Sequence, residues 1–300
     1  MKYREIEKKV FTIKETTNEK KIKYHAFNGL TPKEWASLSK NIWNDISSPR
    51  DKHHIEHGAT FPVALPERLI KMYSKKGDWV LDPFLGVGAT LLAAQKLERN
   101  GIGIELNHRF VEISKELLSA NSTFFSSKYT YNIFEDDCRN MRKYMQDDFI
   151  QLTVTSPPYA NFIRRSIKDR KETHTNSLIT KDNNSFIKPY SDDPRDFGNL
   201  PYKKFLCELL SVLRDNYIVT KPGGYSAWVV KDYRDTYNGI PYIAFHSDLA
   251  KIGEEVGFKF HDLIIWDQTG QRKLVLLGFP SVFYTNQNCS FIVIFRKPIR

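Results

Sequence analysis

The feature that most constrains this chain is a change of rhythm after Gly77. From there, short apolar runs alternate with amphipathic stretches. Trp79-Val-Leu-Asp82 is followed by a helix over residues 90–100 closed by Gly101, then Ile102-Gly-Ile-Glu105, a helix over 110–120, and strands over 129–134 and 151–155. Phe205, Leu209, Leu213 and Tyr217 recur at helical spacing after Pro201. A Lys221-Pro-Gly-Gly224 turn leads to a strand over 225–230, Pro241 opens a further helix stopped by Gly257, and strands over 263–266 and 291–295 finish. Strands separated by helices of this length bury their apolar faces as a doubly wound, mostly parallel sheet with helices on both sides. The fold class expected is therefore α/β and Rossmann-like, with seven strands. No helix separates the last two, so they are read as a hairpin contributing an antiparallel member.

Upstream of Gly77, residues 31–45 carry a helix signal: Thr31 as N-cap, Pro32, Glu34, then Trp35, Leu38 and Trp43. A second helix follows Pro66, with Leu69, Met72 and Tyr73 on one face and Lys75-Lys76-Gly77 as its stop. Residues 160–200 break the alternation and are too long for an ordinary loop. The expected organisation is one catalytic domain over 1–300, with an N-terminal extension over 1–56 and an inserted target-recognition segment over 160–200.

Composition narrows the function classes. Hydrophobic residues at 41% and charged ones at 27% exclude a wholly disordered chain. No apolar run approaches bilayer-spanning length, and the charged start, Met1-Lys-Tyr-Arg-Glu, has no apolar stretch behind it, so neither a membrane partner nor a secretory leader is expected. Cys138, Cys207 and Cys289 are too scattered for a disulfide framework or a zinc site, so no metal is expected and the compartment is read as reducing and cytoplasmic. Lys and Arg number 45 against 35 Asp and Glu, a formal charge of +10 that favours a polyanionic partner, nucleic acid first.

Two constellations carry chemistry. The first is Asp82-Pro-Phe84-Leu-Gly86-Val-Gly88-Ala-Thr90, where the first strand turns into its helix. In open α/β sheets ligands bind beyond the carboxyl ends of the strands, and glycines there let the backbone approach them closely. Glu105 ends the next strand, where a carboxylate accepts both hydroxyls of a ribose. Together they read as a nucleoside-containing cofactor site. The glycines alone are equally compatible with a tight turn that holds no ligand. The second constellation is Thr155-Ser156-Pro157-Pro158-Tyr159, at the end of another strand. Two prolines fix the backbone and remove two N–H donors, leaving rigid carbonyls beside a small hydroxyl and an aromatic ring. That set suits a planar ring with an exocyclic amine: Tyr159 stacks, while Ser156 and a proline carbonyl accept amine hydrogens. A rigid strand-ending turn is the competing explanation.

These paired motifs resemble those of the DNA amino-methyltransferases, which methylate N4 of cytosine or N6 of adenine with S-adenosylmethionine. The likeness runs from about Leu30 to Lys297, and the Thr-Ser-Pro-Pro-Tyr form is similar to that of the N4-cytosine enzymes. The resemblance implies that Asp82, Phe84, Gly86 and Gly88, with Thr90 nearby, line the methionine and ribose part of the cofactor, that Glu105 binds the ribose, and that Asp137 and Cys138 meet the adenine. His57-Gly-Ala-Thr60-Phe61-Pro62 resembles the segment that closes over the methionine end, and Ser156, Pro157, Pro158 and Tyr159 form the catalytic loop. Arg164, Arg165, Lys168, Arg170 and Lys171 follow that loop directly and are candidate DNA contacts, with a solvated charged face as the alternative. The implied partner is double-stranded DNA with the target cytosine flipped out, in a restriction-modification, phage or epigenetic setting. A cognate restriction endonuclease is a candidate companion, and a monomer or homodimer the working assembly. An N6-adenine enzyme, an RNA methyltransferase and a non-catalytic nucleic-acid-binding subunit remain as alternatives.

Overall fold

The computed structural model describes residues 26–47, 60–122, 128–160, 193–235, 238–271 and 281–299. In chain order its elements are α1 (Pro32–Leu38), β1 (Ile42–Trp43), α2 (Ala64–Tyr73), β2 (Trp79–Asp82), α3 (Ala89–Lys96), β3 (Asn100–Glu105), α4 (His108–Ser122), β4 (Tyr131–Glu135) and β5 (Ile150–Thr155). These are followed by α5 (Tyr202–Val219), β6 (Thr220–Val230), β7 (Tyr233–Asp235), β8 (Ile240–Ile243), α6 (Phe245–Glu255), β9 (Lys259–Asp267) and β10 (Cys289–Arg296).

One eight-stranded sheet runs in the order β1-β9-β10-β6-β5-β2-β3-β4, and β7 and β8 form a separate two-stranded sheet. Every neighbouring pair in the large sheet is parallel except the two that include β10, which is antiparallel to both β6 and β9. The expected α/β class and the antiparallel hairpin strand are both present. Among the described residues the large sheet has eight strands, one more than expected, because β1 adds an edge that two residues are too short to announce.

Two local expectations need correction. The helix read over 31–45 ends at Leu38. Its start is as anticipated: the Thr31 amide donates to Glu34 Oε2 at 2.8 Å and the Glu34 amide to Thr31 Oγ1 at 3.3 Å, a complete capping box. But α1 buries none of its residues. Trp43, by contrast, is wholly buried in β1, in register with Trp266, with the Arg68 guanidinium 4.7 Å from its ring centroid. Burying an indole outweighs another turn of exposed helix. Pro241 likewise does not open a helix; it lies in β8, and α6 begins at Phe245. A two-stranded ribbon is all edge, where a missing donor is tolerated.

The central strands are buried on both faces, as parallel strands must be. Leu81, Trp228, Val230, Val293 and Phe295 face the layer built by α5 and α6, which adds Phe205, Leu209, Leu213 and Leu249. Val80, Leu152, Val154, Ala227, Val229 and Ile292 face the opposite layer, with Leu65 and Leu69 of α2 and Ala93 of α3. A buried polar chain docks α5 on the sheet: Asn216 Nδ2 donates to Thr153 Oγ1 at 2.7 Å, Ser226 Oγ to Asn216 Oδ1 at 2.6 Å, and Trp228 Nε1 to Ser226 Oγ at 2.7 Å.

From β2 the chain winds outward through β3 and β4, whereas β5 and β6 lie on the other side of β2. The strand order therefore reverses between β2 and β5, and both sequence motifs stand at the carboxyl ends of this pair. That is where the fold leaves an open crevice.

Candidate functional site

Asp82 ends β2 with 1% of its surface exposed. Its Oδ1 accepts from Thr155 Oγ1 at 2.6 Å and from the Phe84 amide at 3.1 Å, and its Oδ2 accepts from Thr90 Oγ1 at 2.6 Å. One carboxylate thus ties together the ends of β2 and β5 and the first turn of α3. Burial pushes its pKa up to about 6 against the pull of those three donors. Asp82 and Thr90 stand behind the crevice as its frame.

The turn between β2 and α3 needs its glycines. Gly86 and Gly88 sit at φ 55° and 91°, in the left-handed region. The Gly86 carbonyl accepts from Ser114 Oγ at 2.9 Å, and a Cβ on Gly88 would come within 3.1 Å of that same oxygen. Glu105 pins this turn from across the sheet: its Oε2 accepts from the Gly86 amide at 2.7 Å and its Oε1 from the Asn107 amide at 2.8 Å. Each oxygen keeps a further lone pair for a ligand donor. Burial raises the Glu105 carboxyl to about 7, and the charges of Asp82 and Asp196 add to the rise.

The crevice is a cavity walled by the carboxyl ends of four strands. Pro83 and Phe84 come from β2, and Glu105, Leu106 and Asn107 from β3. Asp136, Asp137 and Cys138 follow β4, and Ser156, Pro157 and Pro158 follow β5. Phe110 of α4 adds an apolar surface, and Arg195, Asp196 and Phe197 close the remaining side. Of the residues predicted from sequence, Phe84, Glu105, Asp137, Cys138, Ser156, Pro157 and Pro158 converge on this one space.

Tyr159 packs edge-on against Tyr233 and Phe245, each at 6.3 Å between centroids. Phe61 is buried in the layer under α2 and α3, and Thr60 hydrogen-bonds the Phe61 carbonyl at 3.2 Å. His57, Arg164, Arg165, Lys168, Arg170 and Lys171 lie outside the described residues.

Asp137 is held by Arg139, whose Nε lies 2.9 Å from Oδ1 and whose Nη2 lies 2.5 Å from Oδ2. Burial pushes the Cys138 thiol well above its ordinary value, so it is not a thiolate at neutral pH. Sequence reasoning missed Phe110, Asp136 and the triplet Arg195–Phe197. The triplet falls within the 160–200 segment read as an insertion, and no periodicity marks it. The only local signal is turn chemistry, Asp196 capping Gly198 across a three-residue turn.

The cavity offers carboxylate acceptors at one end, aromatic rings around it and a rigid hydroxyl-and-carbonyl edge at Ser156-Pro157. That arrangement can hold a nucleoside-containing donor beside an amine-bearing ring. Comparison with known proteins finds the following likenesses. A family model described as DNA methylase matches residues 2–116. The type II methyltransferase M.BglI of Bacillus subtilis is 41% identical over 102 residues, covering 34% of this chain and 28% of that protein. The type II methyltransferase M.MthZI of Methanothermobacter thermautotrophicus is 45% identical over 84 residues, 27% of this chain and 23% of that protein. The matched stretch is thus about a quarter of each relative's length. Among solved structures, a SAM-dependent methyltransferase from Methanosarcina mazei superposes with a TM-score of 0.45 at 13% identity, covering 77% of this chain and 98% of that one.

Proposed function

We propose that this chain, whose residues 2–116 carry the match to the amino-methyltransferase family, transfers a methyl group from S-adenosylmethionine to the exocyclic N4 amine of cytosine in DNA. The observation that carries the reading is the single cavity joining Glu105 to Ser156-Pro157-Pro158 across the switch between β2 and β5. The residues present fit the cofactor: Glu105 would accept from the ribose hydroxyls, Asp137 and Cys138 would meet the adenine, and Phe84 gives the site an apolar wall. When bound, the cofactor's sulfonium supplies an activated methyl group.

The remaining work falls to the catalytic loop. An exocyclic amine conjugated into a ring is a poor nucleophile, because its lone pair is delocalised. Ser156 Oγ and the Pro157 carbonyl accept its two hydrogens, which localises the lone pair and aims it at the methyl carbon. The prolines keep those acceptors still. Cys138 is the one cysteine at the cavity and stays protonated, so displacement proceeds without a cysteine adduct. Inside a duplex the amine is paired, and the base has to leave the stack to reach the cavity. A net charge of +10 supports a DNA partner.

Ser156→Ala tests the assignment. Turnover on duplex DNA is expected to fall about 100-fold, with the Kd for the donor within about twofold of the unmodified protein. Unchanged turnover would remove Ser156 from the reaction.

A further inference from the structure

We propose that the turn over residues 193–199 is part of the donor-binding site, with Asp196 and Phe197 contacting the donor and Arg139 as the positioning residue that holds them there. The proposal rests on the cofactor reading above and extends it to residues far from either motif.

Asp196 and Phe197 line the cavity next to the residues that follow β4, yet they are only 6% and 3% exposed. Asp196 Oδ1 accepts from the Gly198 amide at 2.8 Å and so caps the short turn Phe197–Asn199. Asparagine or serine would cap that turn equally well without burying a charge. The Asp196 charge reaches Glu105 across the cavity that both acids line, so the two carboxylates stand at one ligand space. The Phe197 ring meets Phe84 edge-on at 5.5 Å, so the two rings make one apolar corner of the cavity.

Arg139 ties this corner to the end of β4. Its Nη2 contacts both Asp137 and the Arg195 carbonyl, the latter at 3.2 Å, so the two segments meet at one guanidinium. Its Nη1 donates to Glu208 Oε2 of α5 at 2.7 Å, which fixes the fork to the core helix. The guanidinium carbon lies 5.1 Å from the Phe197 ring centroid. A planar fork with five donors can serve these partners together, and an ammonium cannot. Loosening Arg139 therefore loosens two walls.

The test is titration of the full chain with S-adenosylmethionine, with the off-rate by stopped flow, for the unmodified protein and for Arg139→Lys, Asp196→Asn and Phe197→Ala. Each variant is expected to weaken binding about tenfold or more, chiefly through a faster off-rate. Leu209→Val, a core change on α5 away from the cavity, controls for general loosening; it should lower the melting temperature and leave the off-rate alone. Variants that bind within about twofold of the unmodified protein overturn the proposal while leaving the cofactor reading intact. An unmodified protein that does not bind the donor at all overturns that reading and this proposal with it.

Discussion

Glu105 has a carboxyl raised to about 7, with each oxygen already accepting one backbone amide. The ionised carboxylate is the stronger acceptor for two ribose hydroxyls, so below pH 7 donor binding is coupled to the loss of a proton. The sign follows: affinity for the donor rises as pH rises, approaching a tenfold gain per unit below about 7 and levelling off above it. Glu105→Gln should weaken binding and flatten that slope, as read by calorimetry between pH 6 and 8. A slope that persists in the variant would move the titrating group elsewhere. Glu105 and Ser156 were legible in the sequence because each stands at a strand end beside a turn of distinctive composition. Asp82 was legible as important, though its carboxylate is spent on Thr90, Thr155 and the Phe84 amide. Phe197 was not legible, since its contacts with Phe84 and Arg139 join segments that only the fold brings together.

At the scale of elements, the turn between β2 and α3 is the most exacting piece of backbone near the site. Gly88 combines a φ of 91° with Ser114 3.1 Å from where a Cβ would lie. Gly88→Ala should cost about 1–3 kcal/mol of stability by chemical denaturation and weaken donor binding, because Glu105 grips the same turn through Gly86. An alanine variant as stable as the unmodified protein would contradict the turn geometry. Most elements were readable because buried strands and amphipathic helices alternate over much of the chain from Trp79 onward. The misreadings share a cause. Trp43 fitted a helical spacing but is captured by the sheet edge, and Pro241 looked like a helix start but sits in a ribbon set by pairing of Tyr233 with Ile243. Both outcomes depend on partners distant in sequence, which periodicity does not contain.

At the scale of the whole molecule, two motifs separated by about seventy residues meet only because β2 and β5 are neighbours at the point where strand order reverses. The sheet places the cavity and the Ser156-Pro157-Pro158 turn at adjacent strand ends. On the function proposed above, this places a DNA cytosine amine beside an activated methyl group. The most direct test expresses the chain in a host whose DNA lacks methylation and analyses that DNA by nucleoside mass spectrometry. N4-methylcytosine, absent when Ser156→Ala is expressed instead, is the predicted result. N6-methyladenine in its place would contradict the cytosine assignment while keeping the chemistry of the loop, and DNA without any new methylated base would contradict the proposed function itself.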